Sequence, residues 1–141
     1  EVVVAPMGVP GGVGYYNGGA VVTNSTSVIT AAGANPNTVY FGFDSSEIDA
    51  QGQAVLNQQA QFLQANPSAR VAIAGHTDER GSREYNLALG ERRAQAAQAY
   101  LATSGVSASR MEAISYGEDQ PADPGHDESA WAKNRRAEIS Y

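Results

Sequence analysis

The stretch that decides the fold is "ARVAIAGHTDERGSREYNLALGERRAQAAQAYLATSG", which runs from Ala69 to Gly105. Its opening part, "ARVAIAG", has few polar side chains, which is typical of a strand in the middle of a sheet. Its closing part is rich in alanine, with Ser82 as a candidate N-cap, Glu84 in the first turn and Gly105 just past the end. These features predict a long helix, so a charged turn joins a buried strand to a helix.

The predicted helix has an apolar stripe and a mixed flank. At 100° per residue, the apolar stripe consists of Leu87, Ala94, Ala97 and Leu101. The residues Asn86, Leu89 and Arg93 lie along the flank of that stripe. We expect these three side chains to face the same cleft.

The segments before this stretch have strand and helix patterns of their own. In "TVYFGFD", residues 38–44, the side chains of Val39, Phe41 and Phe43 alternate with their neighbours. This pattern predicts a short strand with those three side chains toward a core. The segment "DAQGQAVLNQQAQFLQANP", residues 49–67, has apolar residues at helical spacing and ends at Asn66 and Pro67, so it predicts a helix.

Two further strands are predicted near the end of the chain. They are "MEAISYG" and "RRAEISY", separated by the loop "EDQPADPGHDE" and the short helical segment "SAWAKN". The resulting order is β-α-β-α-β-(short α)-β. It predicts an α/β, or α+β, two-layer sandwich in which two main helices cover one face of a small mixed sheet of four strands.

Charge divides the chain into two unlike parts. Residues 1–38 contain a single charged side chain, Glu1, and all the others lie between Asp44 and Glu138. The early part is rich in Gly, Pro, Asn, Ser and Thr and poor in large apolar groups, so we predict a tether over residues 1–36 and one domain over residues 37–141. Alternatively, "AVVTNSTSVIT", residues 20–30, forms one or two short edge strands on the domain.

The composition excludes several function classes. A net charge of −6 argues against sequence-independent binding to nucleic acid, which needs a basic surface. Because the chain has no cysteine, it has no disulfide, no thiolate metal site and no cysteine nucleophile. No stretch approaches the roughly 20 apolar residues of a membrane-spanning helix, and the opening residues do not resemble an intact signal peptide. We therefore expect a cytosolic or an already processed chain.

The sequence contains candidate groups for metal-dependent or hydrolytic chemistry but none of the motifs that define such sites. His76, Asp78 and Glu79 offer nitrogen and oxygen ligands, and His126 and Asp127 offer more, but the spacing matches no metal motif. Asp78 and Glu79 are adjacent, so on a strand end they point in different directions rather than toward each other as an acid and base pair. The sequence also contains no nucleophile elbow, P-loop or dinucleotide fingerprint, so we expect neither an enzyme nor a cofactor.

Arg93 has two interpretations. It lies beside the apolar stripe, where an arginine either clamps a loop or presents a fork to an incoming carboxylate, and the spacing does not decide between them. Asp78 follows the buried strand and adds a fixed negative group. A site with one negative and one positive group suits a zwitterion, because a ligand with only one charge leaves a partner unpaired.

Four segments closely resemble the OmpA-like peptidoglycan-binding domain, in the form found in envelope lipoproteins of Gram-negative bacteria. They are "TVYFGFDSSEID", "GHTDERGSREYNLALGERRA", "SYGEDQPADPG" and "WAKNRRAEISY". The resemblance runs from about Asn37 to Tyr141, with the segments in the same order and spacing. It implies the β-α-β-α-β-β sandwich that the patterns above predict.

The resemblance also implies a non-enzymatic module whose ligand is the meso-diaminopimelate of the peptidoglycan stem peptide. It implies that Asp78 takes the ligand's ammonium group and Arg93 its carboxylate. The other residues that it implies as lining the pocket are Phe43 and Asp44, largely through their backbone, and Arg80 and Leu89. The residues that it implies as supports for the turn and the last strand are Thr77, Asn86 and Arg135.

The same resemblance implies a place in the cell and a set of partners. It implies a link between the outer membrane and the cell wall on the periplasmic side, with TolB and other Tol-system proteins as partners and no nucleic acid. It also implies a lipidated cysteine, and we expect that anchor outside this chain because the sequence has no cysteine. The alternatives are another OmpA-like anchoring module, such as that of a flagellar stator, a scaffold that binds only protein, and a cell-wall hydrolase using His76, Asp78 and Glu79.

Overall fold

The computed structural model describes residues 36–141, so the predicted tether and its edge-strand alternative lie outside the described residues, apart from Pro36. The described part contains four strands and three α-helices. Their bounds are β1 Thr38–Tyr40, α1 Ala50–Ala65, β2 Val71–His76, α2 Arg83–Thr103, β3 Met111–Gly117, α3 Glu128–Asn134 and β4 Arg136–Ser140, with a 3₁₀ turn at Ala108–Arg110.

The four strands form one mixed sheet in the order β1-β4-β2-β3. Strand β4 is antiparallel to both β1 and β2, whereas β2 and β3 are parallel. The predicted α/β sandwich and its element order are therefore confirmed. Strand β2 lies inside the sheet, as its low content of polar side chains indicated.

The helices pack on one face of the sheet, and the alternation of β2 determines which face. Val71 and Ile73 of β2 are buried on that face, opposite Met111 of β3 and Ile139 of β4. The buried side chains of α1 meet them at helical spacing: Val55, Leu56, Ala60 and Leu63. The core thus lies between the sheet and the two long helices.

The buried face of α2 differs from the predicted stripe. Leu87 is 42% exposed, so the prediction that it lies on the apolar stripe is wrong. Asn86, Leu89 and Arg93 are buried beside Ala94 on the inward face of the helix, and all three face one cleft, as expected. The inward face of the first turns of α2 is therefore partly polar, which a search for apolar periodicity alone misses.

The ends of α2 agree with the prediction. The side chain of Ser82 accepts a hydrogen bond from the backbone N–H of Tyr85, as an N-cap does. Gly105 adopts a φ of 100° just beyond the helix, a conformation that glycine reaches without steric cost.

Strand β1 is shorter than predicted and ends at Tyr40. Val39 and Phe41 are buried as expected, but Phe43 is 63% exposed, so the expected core position of Phe43 is wrong. The chain turns after Phe41, and Asp44 adopts a φ of 54°, which no extended strand allows. The alternation therefore stops where the strand leaves the sheet.

Strand β2 and helix α2 approach each other closely at two glycines. A Cβ atom built on Gly75 would lie 1.7 Å from the carbonyl oxygen of Gly90, and one on Gly90 would lie 2.4 Å from the Ser115 hydroxyl. Only glycine at both positions permits this backbone contact. The close approach places the first turns of α2 directly beside the end of β2.

This contact predicts that Gly75→Ala destabilises the domain by more than about 2 kcal/mol, because the new methyl group meets backbone that must move. Gly42→Ala is the matched control, since the nearest neighbour of its Cβ lies 4.0 Å away. Urea unfolding of both variants measures the difference in the free energy of unfolding. Equal stability of the two variants would contradict the close approach.

Candidate functional site

A cavity of about 210 Å³ lies beyond the end of β2. It is enclosed by the loop after β1, the turn that follows β2 and the first turns of α2. The residues that line it are Phe43, Asp44, Thr77, Asp78, Arg80, Gly81, Tyr85, Asn86, Leu89 and Arg93. Every residue proposed for the pocket or its support lines this cavity except Arg135, which lies behind Asp78.

Arg93 is fully buried, and its guanidinium holds three backbone carbonyls. It donates to the oxygens of Gly42 at 3.1 Å, Ser45 at 2.8 Å and His76 at 2.9 Å. These bonds fix the loop after β1 to the end of β2, so the clamp is one observed role of Arg93. Burial lowers the pKa of Arg93 to about 10, which leaves the guanidinium charged at neutral pH.

Asp78 is a buried carboxylate in contact with two arginines. Its Oδ1 accepts from the backbone N–H of Arg80 at 3.0 Å and from Arg80 Nε at 3.3 Å, and its Oδ2 accepts from Arg80 Nη2 at 2.8 Å. Arg135 Nη1 lies 3.6 Å from the same Oδ2. Burial by itself raises the pKa of Asp78, but the hydrogen bonds from Arg80 outweigh it, so the net pKa is lowered and the group is ionised.

Arg80 lies between two aromatic rings. Its Cζ is 4.2 Å from the centre of the Phe43 ring and 4.0 Å from that of Trp131. Trp131 is fixed in turn, because its Nε1 donates to Glu79 Oε2 at 2.9 Å, an oxygen that also contacts His126 Nδ1 at 2.8 Å. The hydrogen bonds from His126 and Trp131 hold the pKa of Glu79 below its usual range.

Two residues at this site are not among those predicted from the sequence: Tyr85, which lines the cavity, and Trp131, which contacts Arg80. Tyr85 donates a hydrogen bond from its hydroxyl to the Asp44 carboxylate at the rim of the cavity. The sequence does contain a signal for Tyr85, since it lies one helical turn before Leu89 and so shares its face. No local signal indicates Trp131, which reaches the site from helix α3.

Asn86 ties the turn together from inside. Its amide Nδ2 donates to the carbonyls of Asp78 at 3.3 Å and Arg80 at 3.1 Å, and to Glu118 Oε1 at 2.7 Å. The residue is 1% exposed, so these bonds form in a site without competing solvent. This geometry suits the supporting role that the resemblance implies.

Arg135 and Thr77 connect the site to the strands beside it. Arg135 Nε donates to the Phe41 carbonyl at 2.9 Å, and its Nη2 contacts Glu128 at 2.9 Å. The backbone N–H of Thr77 donates to the Gly117 carbonyl at 2.9 Å, beyond the last pair of β2 and β3. Both residues hold the wall of the cavity rather than its opening.

The three groups considered for metal or hydrolytic chemistry diverge. Asp78 faces the arginines and Glu79 faces Trp131, whereas the His76 ring stacks on Tyr116 with ring centres 5.5 Å apart. Within residues 36–141, no group of three or more His, Cys, Asp or Glu residues is arranged to hold a metal ion. None of the helices in that range is long and apolar enough to cross a membrane.

Comparison with known proteins identifies the family. The family model described as "OmpA family" matches residues 40–135 of the chain. The chain therefore belongs to the OmpA family. Within it, the chain is similar to several proteins named peptidoglycan-associated lipoprotein.

Two such relatives and two solved structures illustrate the similarity. The chain is 52% identical over 105 residues to the peptidoglycan-associated lipoprotein of Haemophilus influenzae, covering 74% of this chain and 69% of that one. It is 46% identical over 132 residues to that of Pseudomonas aeruginosa, covering 94% and 77%. The crystal structure of the protein of this name from Burkholderia pseudomallei superposes with a TM-score of 0.73 at 50% identity, covering 74% and 89%. The C-terminal domain of Helicobacter pylori MotB shares the fold, with a TM-score of 0.66 at 23% identity over 72% of this chain and 80% of that one.

The clamp predicts that Arg93→Met lowers the free energy of unfolding by about 2 to 4 kcal/mol, because three buried carbonyls lose a charged donor. Arg92→Met is the matched control, since Arg92 is exposed on the same helix. Its expected effect is within about 0.5 kcal/mol. Urea unfolding measures both variants. If Arg93→Met lowers the free energy of unfolding as little as Arg92→Met does, the clamp is refuted.

The burial of His76 predicts that the stability of the domain depends on pH. Burial lowers its pKa from 6.5 to about 4, and neither ring nitrogen has a hydrogen-bond partner within residues 36–141. The unfolded chain therefore binds the proton more readily, and stability falls as the pH drops from 6.5 toward 4, by about 3 kcal/mol at most. In unfolding at pH 7, 6 and 5, His76→Phe should lose this dependence. An unchanged dependence in the variant would show that other groups cause it.

Proposed function

We propose that this chain binds peptidoglycan without covalent bonds, through the meso-diaminopimelate of the stem peptide. The observation that carries the proposal is that one cavity is lined by both an ionised carboxylate, Asp78, and a buried charged guanidinium, Arg93. The names of the relatives support the polymer as the target, since they are peptidoglycan-associated lipoproteins.

The uncrosslinked end of diaminopimelate carries an ammonium and a carboxylate on one carbon. In the proposed complex, the ammonium pairs with Asp78. The carboxylate meets the loop after β1, where the backbone N–H groups of Phe43 and Asp44 have no hydrogen-bond partner within residues 36–141. Arg93 holds the carbonyls on either side of those two residues and adds a positive charge beneath them. A ligand that lacks either group leaves a protein group unpaired, which gives selectivity.

The hydrogen bonds made by Asp78 and Glu79 favour binding of the ligand without its cleavage. Asp78 and Glu79 are both held by hydrogen-bond donors of the protein and do not face each other across an open space. A small zwitterion site gives modest affinity, because it must offset the lost freedom of the ligand. Many copies of the chain that bind the same polymer together still attach to it firmly, because their binding is multivalent.

The proposed setting is the periplasmic face of the outer membrane of a Gram-negative bacterium, with a lipid anchor outside this chain. The lipoprotein names of the relatives support it. TolB and other Tol-system proteins are the proposed protein partners, and the family resemblance is their support. Co-purification of TolB with the lipidated full-length protein tests this part.

Calorimetric titration with a muropeptide that contains meso-diaminopimelate tests the ligand. The expected result is binding, with loss for a muropeptide that contains lysine, because lysine lacks the terminal carboxylate. Asp78→Asn should weaken binding by about 10- to 100-fold, since the ammonium loses an ionic partner. Asp119→Asn is the control, because it removes the same charge from a carboxylate paired with Arg83 outside the cavity.

Incubation with purified sacculi separates the rival functions. Co-sedimentation of the chain with the sacculi supports a binder, and release of soluble muropeptides would instead indicate a hydrolase. A folded chain that neither sediments nor binds muropeptide would indicate a role in protein binding alone.

A further inference from the structure

The Asp78 carboxylate already has a cationic partner from its own chain. Arg80 contacts it through Nε, Nη2 and its backbone N–H, at distances between 2.8 and 3.3 Å. The carboxyl side chain is 6% exposed, and the Arg80 side chain is 33% exposed. The solvent-accessible member of this ion pair is therefore the arginine.

The two arginines near Asp78 differ in how firmly they are held. Arg135 is 9% exposed and also bonds to the Phe41 carbonyl and to Glu128. The guanidinium of Arg80 makes hydrogen bonds only to Asp78 among residues 36–141, and otherwise stacks on Phe43 and Trp131. Phe43 is itself mostly exposed, so Arg80 is the one of the two that can move away without breaking the framework.

We propose that Arg80 is an internal competitor that occupies Asp78 in the empty cavity and is displaced by the ammonium group of the ligand. The inference rests on the proposed function above. Because a buried carboxylate is stabilised by cationic partners, Arg80 together with Arg135 keeps Asp78 ionised between binding events, and Arg135 remains beside the carboxylate when Arg80 leaves. The same contact lowers the affinity, since each ligand must first break it.

Trp131 provides a direct reporter of this exchange. It is the only tryptophan in the sequence, it stacks on Arg80, and it is not among the residues that line the cavity. A ligand group that displaces Arg80 from Asp78 therefore changes the environment of Trp131. Tryptophan fluorescence follows the exchange separately from the heat of binding.

The test compares the wild-type chain with Arg80→Gln, using the muropeptide that contains meso-diaminopimelate. Arg80→Gln should bind roughly tenfold more tightly, because no internal cation competes for Asp78. Arg83→Gln is the matched control: it removes the same charge three residues away, from an exposed pair with Asp119, and should leave the affinity unchanged. The ligand should change the Trp131 fluorescence of the wild type but leave that of Arg80→Gln nearly unchanged.

The outcomes separate this inference from the proposed function. Binding by the wild type together with equal or weaker binding by Arg80→Gln would overturn the competitor role and leave the proposed function standing. Binding without a change in Trp131 fluorescence would also overturn it. If Arg80→Gln binds the muropeptide and the wild type does not, the competitor role is supported, because Arg80 then blocks the site completely. Failure of both folded proteins to bind would overturn both proposals.

Discussion

The cavity depends on one buried guanidinium. Arg93 joins the loop after β1 to the end of β2 by donating to three carbonyl oxygens that belong to different parts of the chain. The residues that line one wall of the cavity, Phe43 and Asp44, lie between two of these carbonyls. Asp44 also adopts a left-handed φ of 54°, which persists only where the surroundings hold it. This clamp, together with the hydrogen bond from Tyr85 to Asp44, fixes the position of the loop and of its amide groups.

The position of Arg93 follows in turn from the close approach of α2 and β2. Gly75 and Gly90 bring the two backbones into contact, one helical turn before Arg93. The short distance lets the guanidinium reach the carbonyl of His76 at the end of β2. Two glycines and one arginine thus connect the packing of the core to the geometry of the site. The charges of the site are the negative carboxylate of Asp78 and the positive guanidinium groups of Arg93, Arg80 and Arg135.

The local patterns of the sequence predict most of the fold, for identifiable reasons. The caps at Ser82 and Gly105 and the low content of polar side chains in β2 are signals within a few residues, and the structure confirms them. Two apolar side chains, Leu87 and Phe43, are exposed although the patterns predict their burial. Phe43 lies beyond the end of β1, and Leu87 lies on α2 outside the inward face, part of which is polar. Local periodicity cannot show that the inward face of a helix changes from apolar to polar within one turn.

The composition of the cavity was less predictable than the fold. The residues that the family resemblance implies converge there, with Arg135 behind them, but the spacing alone did not distinguish a clamp from a ligand fork at Arg93. The link from Glu79 to Trp131 spans 52 residues, and no local pattern indicates a contact between such distant positions. The pairing of Arg80 with Asp78 is local, but its place between two aromatic rings also depends on that distant contact.

The most direct measurement is a crystal structure of the chain with a bound muropeptide that contains meso-diaminopimelate. Recognition of a zwitterion predicts the ammonium nitrogen within hydrogen-bond distance of the Asp78 carboxylate. It also predicts the terminal carboxylate at the amides of Phe43 and Asp44, above Arg93. A muropeptide bound outside this cavity, or inside it with neither charged group at these positions, would contradict the proposed recognition.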